Sequence, residues 1–339
     1  DVSVTGIWGV SFLITWFAAV VNWLWEQKAN WSTVRGGVAL YASILTMVLL
    51  LGGARLVLIS PQSITVREAS VTRSCDLFSH VSVCEQGDWV CIHEVTSESL
   101  DVYIDDSQQA VLAGAKIIVW QEGAIWLLEE DEAAFVDQGR EFARQNNVYL
   151  EMGLMVLPSE VDPTYRENKA IMIDPSGKLV WEYLKSEIVP GDIDTPGDGV
   201  VPTLDTPYGQ IGSLICFDLD WPYLSRQAGV AGVDLMLVPA DDWLSIDPVH
   251  SHMATITAVG NGFSVIRPTF EGLTIAADYQ GRVLAAMDDF TTEEVVMIAD
   301  VPMEGVTTIY SQIGDLFAWL CVVSFVAIAG WAIVRHRAA

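Results

Sequence analysis

The chain has 339 residues, 51% of them apolar, yet its formal net charge is -27. That pairing indicates greasy segments attached to an acidic soluble domain, and about 250 soluble residues suit one large α/β domain with a sizeable core. An acidic domain repels phosphodiester backbones and no Lys/Arg run interleaved with aromatics offsets this, so nucleic acid is excluded as a partner.

The first residue is Asp1 rather than Met, so a fragment or processed form with further spans upstream is expected. Gly6 to Trp25 is almost uninterruptedly apolar and long enough to cross a bilayer. Trp16, Trp23 and Trp25 lie in its second half, and Asn22 inside it calls for a partner on a neighbouring helix. A polar loop, Glu26 to Arg35, carries Lys28 and Arg35. A second apolar run, Gly36 to Ile59, returns across, with Arg55 near its end able to snorkel to the interface. A third span, Leu316 to Val334, precedes Arg335, His336 and Arg337. Positive charge flanking the first loop and the C-terminus places both in the cytoplasm, and Pro61 to Asp315 on the outer side.

Between these spans, strands are expected at Ser63 to Val71, Lys116 to Trp120, Tyr149 to Val156, Lys169 to Ile173, Ile211 to Ile215, Leu235 to Pro239, Phe263 to Pro268, Leu273 to Ala277 and Val295 to Val301. Helices are expected at Ser97 to Ala113, Glu129 to Asn146, Pro222 to Ala231 and Pro248 to Gly260. Strands with an unbroken apolar run, such as Lys116 to Trp120 after its first residue, suit a sheet covered on both faces, and turns such as Pro175-Ser176-Gly177 suit hairpins. The mixture predicts a sheet-rich, layered α/β domain. Cys75, Cys84 and Cys91 cluster in one polar stretch that suits a disulfide outside the cytoplasm, leaving one of them single. Their spacing, with only His80 and His93 nearby, fits no standard zinc site.

Three strand ends carry reactive side chains. Ile117-Ile118-Val119-Trp120 runs into Gln121-Glu122-Gly123-Ala124, Val180-Trp181-Glu182-Tyr183-Leu184 ends at Lys185, and Ile211-Gly-Ser-Leu-Ile215 delivers Cys216. A thiol needs a base, and a tetrahedral adduct needs a cation and N–H donors for its oxyanion, so the three form a sufficient set. Singly, each has a plainer reading: Glu122 as a helix cap, Lys185 as a solvated charge, Cys216 as core packing.

In that order, Trp120-Gln121-Glu122-Gly123-Ala124, Tyr183-Leu184-Lys185 and Leu214-Ile215-Cys216-Phe217-Asp218 resemble the Glu-Lys-Cys signature of the nitrilase, or carbon-nitrogen hydrolase, superfamily. With spans on both sides, Trp8-Gly9-Val10-Ser11-Phe12-Leu13 before it and Thr308-Ile309-Tyr310-Ser311-Gln312-Ile313-Gly314-Asp315 after it, the whole chain is similar to the apolipoprotein N-acyltransferase family. The resemblance implies a four-layer α-β-β-α sandwich flanked by transmembrane helices: two spans in residues 1–60, a catalytic domain at 61–315 facing outward from the cell (inner) membrane, and a C-terminal span and tail at 316–339. It implies a phospholipid acyl donor, a lipoprotein acceptor, no cofactor, no metal, and a chain favoured as a monomer. Cys216 is then the nucleophile that carries the acyl thioester, Glu122 its base and Lys185 the oxyanion's cation. The Phe217 N–H contributes to the oxyanion hole, with Asp218 and Asp192 as supporting carboxylates. Asp192 alternatively stabilises the turn at Pro190-Gly191.

Two departures stand out. Thr257 and Gly260 occupy positions that in the family usually hold Arg and Glu, and Gln121 replaces a proline. Loss of that Arg–Glu pair keeps two further readings open: a tethered amidase in which water resolves the thioester, and an inactive lipoprotein- or lipid-binding relative. His250 and His252, with Asp241, Asp242 and Asp247 upstream, are read as capping or packing near Trp243 rather than as a cation site.

Overall fold

The structure, a computed structural model, describes residues 2–58, 64–73, 89–158 and 165–338. It separates into two compact units, Asp1–Gln62 with Thr308–Ala339, and Ser63–Thr307.

In the first unit α1 spans Ile7–Glu26 and α2 Trp31–Leu58, and a C-terminal helix runs Leu316–Ala338. Each is long and apolar enough to cross a membrane. The second span starts earlier than the apolar run suggests, because Asn30 accepts the backbone N–H groups of Thr33 and Val34 and begins the helix in polar sequence. The connecting turn therefore shrinks to residues around Lys28 and Ala29, both at positive φ, and Arg35 lies inside α2. Asn22 finds its partner on its own helix, where Nδ2 donates to Glu26 Oε1 at 3.1 Å. Arg55 Nη1 donates to Ser3 Oγ at 2.9 Å, and Trp8 Nε1 to Asp315 Oδ1 at 2.7 Å.

The second unit is built on two sheets. The first holds β1 (Thr65–Val71), β2 (Ile117–Trp120), β3 (Ile125–Leu128), β4 (Tyr149–Leu157), β5 (Glu167–Ile173), β6 (Leu179–Leu184) and β15 (Val296–Pro302), in the order β15-β1-β2-β4-β5-β6 with β3 beside β4. Strands β1, β2 and β4 run parallel, while β5 and β6 return antiparallel. The second sheet runs β14 (Val283–Asp288), β13 (Leu273–Ala277), β11 (Ser264–Arg267), β9 (Leu235–Leu237), β8 (Gln210–Ser213) and β7 (Thr203–Asp205), with β8, β9 and β11 parallel. A short parallel pair, β10 (Ala240–Asp241) and β12 (Thr269–Phe270), extends past β9 and β11.

Helices α3 (Trp89–Leu112) and α4 (Glu129–Asn146) cover the first sheet; α5 (Pro222–Ala231) and α6 (Val249–Asn261) cover the second. One core holds Leu100 and Tyr103 of α3, Phe135 and Phe142 of α4, and the outer face of the first sheet, Ile118, Leu150 and Ile171. The other holds the inner face, Ile117, Val119 and Met172, together with Ile211, Leu235, Val265, Leu224 and Ala254. Alternation along each strand thus sorts side chains into two cores, giving the expected α-β-β-α layering. The first turn of α4 is Glu129-Glu130-Asp131-Glu132, which suits the positive end of the helix dipole, and Asn147 ends the helix in the left-handed region.

Strands β3, β7, β10, β12 and β14 were not anticipated: the first four are two to four residues long, and β14 is a half-exposed edge strand with weak alternation. Helix α3 starts at Trp89 rather than Ser97, within the polar cysteine-bearing stretch to which the sequence assigns no element. Cys91 is in a disulfide, whereas Cys75, Cys84 and His80 lie outside the described residues.

Candidate active site

Parallel strands deliver side chains where they leave the sheet, and β2, β8, β9 and β11 all do so here. Glu122 follows β2, and its position depends on β4. A Cβ on Gly153 would meet the Gln121 carbonyl oxygen at 1.9 Å, so only glycine lets the Gln121–Glu122 turn lie on that strand. Gln121 secures the turn, its Oε1 accepting the Arg73 backbone N–H at 2.7 Å. Lys185 follows β6, beside the start of β5, where its backbone N–H donates to the Asn168 carbonyl.

Cys216 sits at φ 46°, a left-handed conformation uncommon for a side chain with a Cβ, on the tight turn between β8 and α5. Its backbone N–H donates to the Pro239 carbonyl at 2.8 Å.

Glu122 and Lys185 are both buried and paired, with Nζ 2.6 Å from Glu122 Oε1. Asn168 Nδ2 donates to the same oxygen at 2.7 Å, and the Asp241 backbone N–H to Oε2 at 3.0 Å. Burial would lower the Lys185 pKa, but Glu122 and then Cys216 more than reverse this, so the ammonium is held firmly protonated. Burial and then Glu122 push the Cys216 thiol up, while Lys185 and Arg267 pull it back. Burial and then Glu122 also raise Asp241, to about 8.

Asp218 does not face the thiol. It accepts the backbone N–H groups of Ser186 (3.0 Å), Glu187 (2.7 Å) and Ile215 (3.2 Å) and the Tyr183 hydroxyl (2.8 Å), lashing the turn after Lys185 to the turn at Cys216. Burial raises its pKa to about 6, against those N–H and O–H donors. Phe217 stacks edge-on with Trp221 and helps line an apolar cavity of about 290 Å³ with Asp220, Trp243, Ile246, His250 and Met253. Asp192 pairs instead with Arg166, at 3.3 Å. The carboxylate after the lysine that reaches the Glu122 network is Asp194, which pairs with Arg166 and accepts from Asn168 Nδ2 at 3.3 Å.

A second buried ion pair, which the sequence did not single out, borders Cys216. Arg267, at the end of β11, is fully buried and pairs bidentately with Asp242: Nη1 to Oδ2 at 2.8 Å and Nη2 to Oδ1 at 2.9 Å. Its Nη2 lies 3.7 Å from Cys216 Sγ. His250 does not simply pack near Trp243. Its Nδ1 is 2.7 Å from Asp242 Oδ1 and its Nε2 3.2 Å from Asp220 Oδ2. Burial would lower the imidazole's pKa, but Asp220 and Asp242 raise it overall. Asp242 goes the other way: burial opposes ionisation, yet His250 and Arg267 hold it down at about 2. The signal available in sequence was the same strand-end rule, since Asp241-Asp242 follows β9 and Arg267 ends an apolar strand before Pro268.

Cys216, Asp242 and His250 offer ligand atoms within 4.8 Å of one another, the grouping a metal ion would need. Arg267 Nη2 reaches the same atoms, at 3.7, 2.9 and 2.8 Å, so the cation among them is supplied by the chain itself. The donor set therefore does not fit a resident metal.

The model of the carbon-nitrogen hydrolase family matches residues 81–310, and the chain belongs to that family. Among curated relatives it is similar to the apolipoprotein N-acyltransferase of Geobacter metallireducens, 26% identical over 264 residues, covering 70% of this chain and 50% of the relative. That of Azotobacter vinelandii is 28% identical over 270 residues, covering 72% of this chain and 51% of the relative. The chain thus spans about half the length of the curated relatives it matches. Among solved structures it resembles an amidase from Nesterenkonia sp., with a TM-score of 0.56 and 19% identity over 77% of this chain and 96% of that one, a likeness that shows the fold.

Proposed function

We propose that the chain works as a membrane-bound N-acyltransferase, moving an acyl chain from a phospholipid through a Cys216 thioester to the N-terminal amine of a lipoprotein. The observation that carries this reading is the joining, in one chain, of a carbon-nitrogen hydrolase domain to three membrane-length helices, as befits an enzyme whose donor and acceptor are both lipidic. The similarity to apolipoprotein N-acyltransferases supports it. The positive residues Lys28, Arg35, Arg335 and Arg337 support an extracytoplasmic catalytic domain on the inner membrane, as does the disulfide at Cys91, which suits an oxidising compartment.

In this mechanism Glu122 takes the thiol proton as Sγ attacks the donor's ester carbonyl carbon. Negative charge gathers on the carbonyl oxygen beside the Lys185 ammonium, with the Phe217 N–H as a further donor. The carbon–oxygen bond breaks, the leaving alkoxide takes the proton from Glu122, and a lysophospholipid departs. The acceptor amine then attacks the thioester and passes a proton to Glu122. The carbon–sulfur bond breaks with its electron pair on Sγ, which regains the proton as the amide leaves. Asp218 holds the lysine and cysteine turns in register, and Asn168 orients Glu122. The buried Arg267–Asp242 pair beside Sγ weighs against the inactive reading drawn from Thr257 and Gly260.

Intact mass spectrometry of the protein with phospholipid micelles tests the proposal. An acyl adduct absent from Cys216→Ala and cleared by a lipopeptide amine is the expected result. Adducts from small amides but none from lipid would replace it with the amidase reading. No adduct from either would leave an accessory role.

A further inference from the structure

The proposed chemistry gives Lys185 the oxyanion but names no partner for the sulfur, which carries negative charge twice: as it attacks, and as the leaving group when the thioester breaks. We infer that Arg267 is that partner, a second cation dedicated to Cys216 Sγ. The inference rests on the Cys216 nucleophile reading, not on the identity of the substrate.

Arg267 is fully buried, and its terminal nitrogens are committed in a way that fixes one of them beside the thiol. Nη1 donates to Asp242 Oδ2 at 2.8 Å and to Ser251 Oγ and Thr269 Oγ1, both at 2.9 Å. Nη2 lies 2.9 Å from Asp242 Oδ1, 2.8 Å from His250 Nδ1 and 3.7 Å from Sγ. A guanidinium is planar, so anchoring one face of the fork on Asp242 leaves no freedom to swing away from sulfur. The other groups within hydrogen-bonding reach of Sγ are acceptors, the Asp241 carbonyl at 3.7 Å and Asp242 Oδ1 at 4.0 Å, and neither steadies a thiolate; the Lys185 ammonium acts on it only through space and is committed to Glu122. Arg267 is also the group that stands where the cysteine, aspartate and histidine ligand atoms converge.

In the second half-reaction the electron pair of the breaking carbon–sulfur bond goes to Sγ, and the Nη2 N–H donates to the resulting thiolate until it is reprotonated from Glu122. Asp242 and His250 are positioning residues in this scheme. Asp242 holds the fork. The His250 ring can either donate to Asp242 or accept from Arg267 through Nδ1, while Asp220 takes its Nε2 side.

The test reads the sulfur directly and needs no lipid: the rate of iodoacetamide alkylation of Cys216 in the full chain against pH, followed by peptide mass. Failure of the acyltransferase reading would leave this measurement intact. Arg267→Met should move the profile's midpoint up by at least one unit and slow alkylation about tenfold at neutral pH. A role confined to packing would alter accessibility, and so the rate at all pH values, without moving the midpoint. Should Arg267→Met fail to fold, Arg267→Lys keeps the charge but cannot span Asp242 and Sγ together, and its midpoint should lie above the parent's. A parent-like midpoint in the folded Met variant, or in the Lys variant where Met does not fold, overturns the inference.

Discussion

Glu151 is a carboxyl group buried where no charge is compensated. It lies on β4 between Val119 of β2 and Met172 of β5, facing the core between the sheets, with no exposed surface. The Ser213 hydroxyl and Trp181 indole N–H lie on that side without closing a hydrogen bond of normal geometry. Burial raises its pKa from 4.5 to about 7, and those two donors only partly oppose it. The unfolded chain releases this proton near pH 4.5 and the folded chain only near 7. Relative stability from this group is therefore full below 4.5 and lost as pH rises through the interval. The loss is about 3 kcal/mol, at roughly 1.4 kcal/mol per pKa unit.

Glu151→Met keeps similar volume and removes the charge. For a domain of this size about 3 kcal/mol corresponds to roughly 5–10 °C in Tm. Thermal unfolding followed by tryptophan fluorescence at pH 5 and pH 8 should show the Met variant gaining on the parent by about that amount at the higher pH. Asp241 and Glu68 are also raised by burial, but they are common to both proteins and cancel in the difference. A Tm difference that is the same at both pH values would refute the reasoning.

Three further outcomes are expected. Lys185→Met should reduce acyl-adduct formation by a factor of about 10² to 10³ and, by leaving the buried Glu122 without its cation, destabilise by about 3–5 kcal/mol in chemical denaturation. Gly153→Ala should lower adduct formation with the triad side chains intact, because its methyl must push the Gln121 carbonyl and hence Glu122; a parent-like rate would mean the turn tolerates displacement. Asp218, at about 6, loses acceptor capacity when protonated, so the rate of adduct formation should fall as pH drops through that value. Asp218→Asn should hold the lower rate across the range.

Glu122, Lys185 and Cys216 could be singled out because each stands at the end of a short β-type run, and the strand exits bring Glu122 and Lys185 into an ion pair. Asp192 was misplaced relative to Asp194 for a different reason. The chain turns back at Val189–Asp192 before pairing with Arg166, and sequence spacing does not survive such a turn. Arg267 went unread and Asp242 was noted only beside His250 and His252, because their meaning is pairwise: they come from separate strands, and neither gives any local sign that the other lies opposite. The doubt raised at Thr257 and Gly260 assumed that a bracing charge must come from those positions. Both lie on α6, Gly260 buried and Thr257 half-buried, while the buried arginine beside the thiol arrives from β11. Electrostatic support depends on where a charge ends up rather than which element carries it. A charge missing at one pair of positions is therefore weak grounds for a dead site when the arginine of a buried ion pair stands 3.7 Å from Cys216 Sγ.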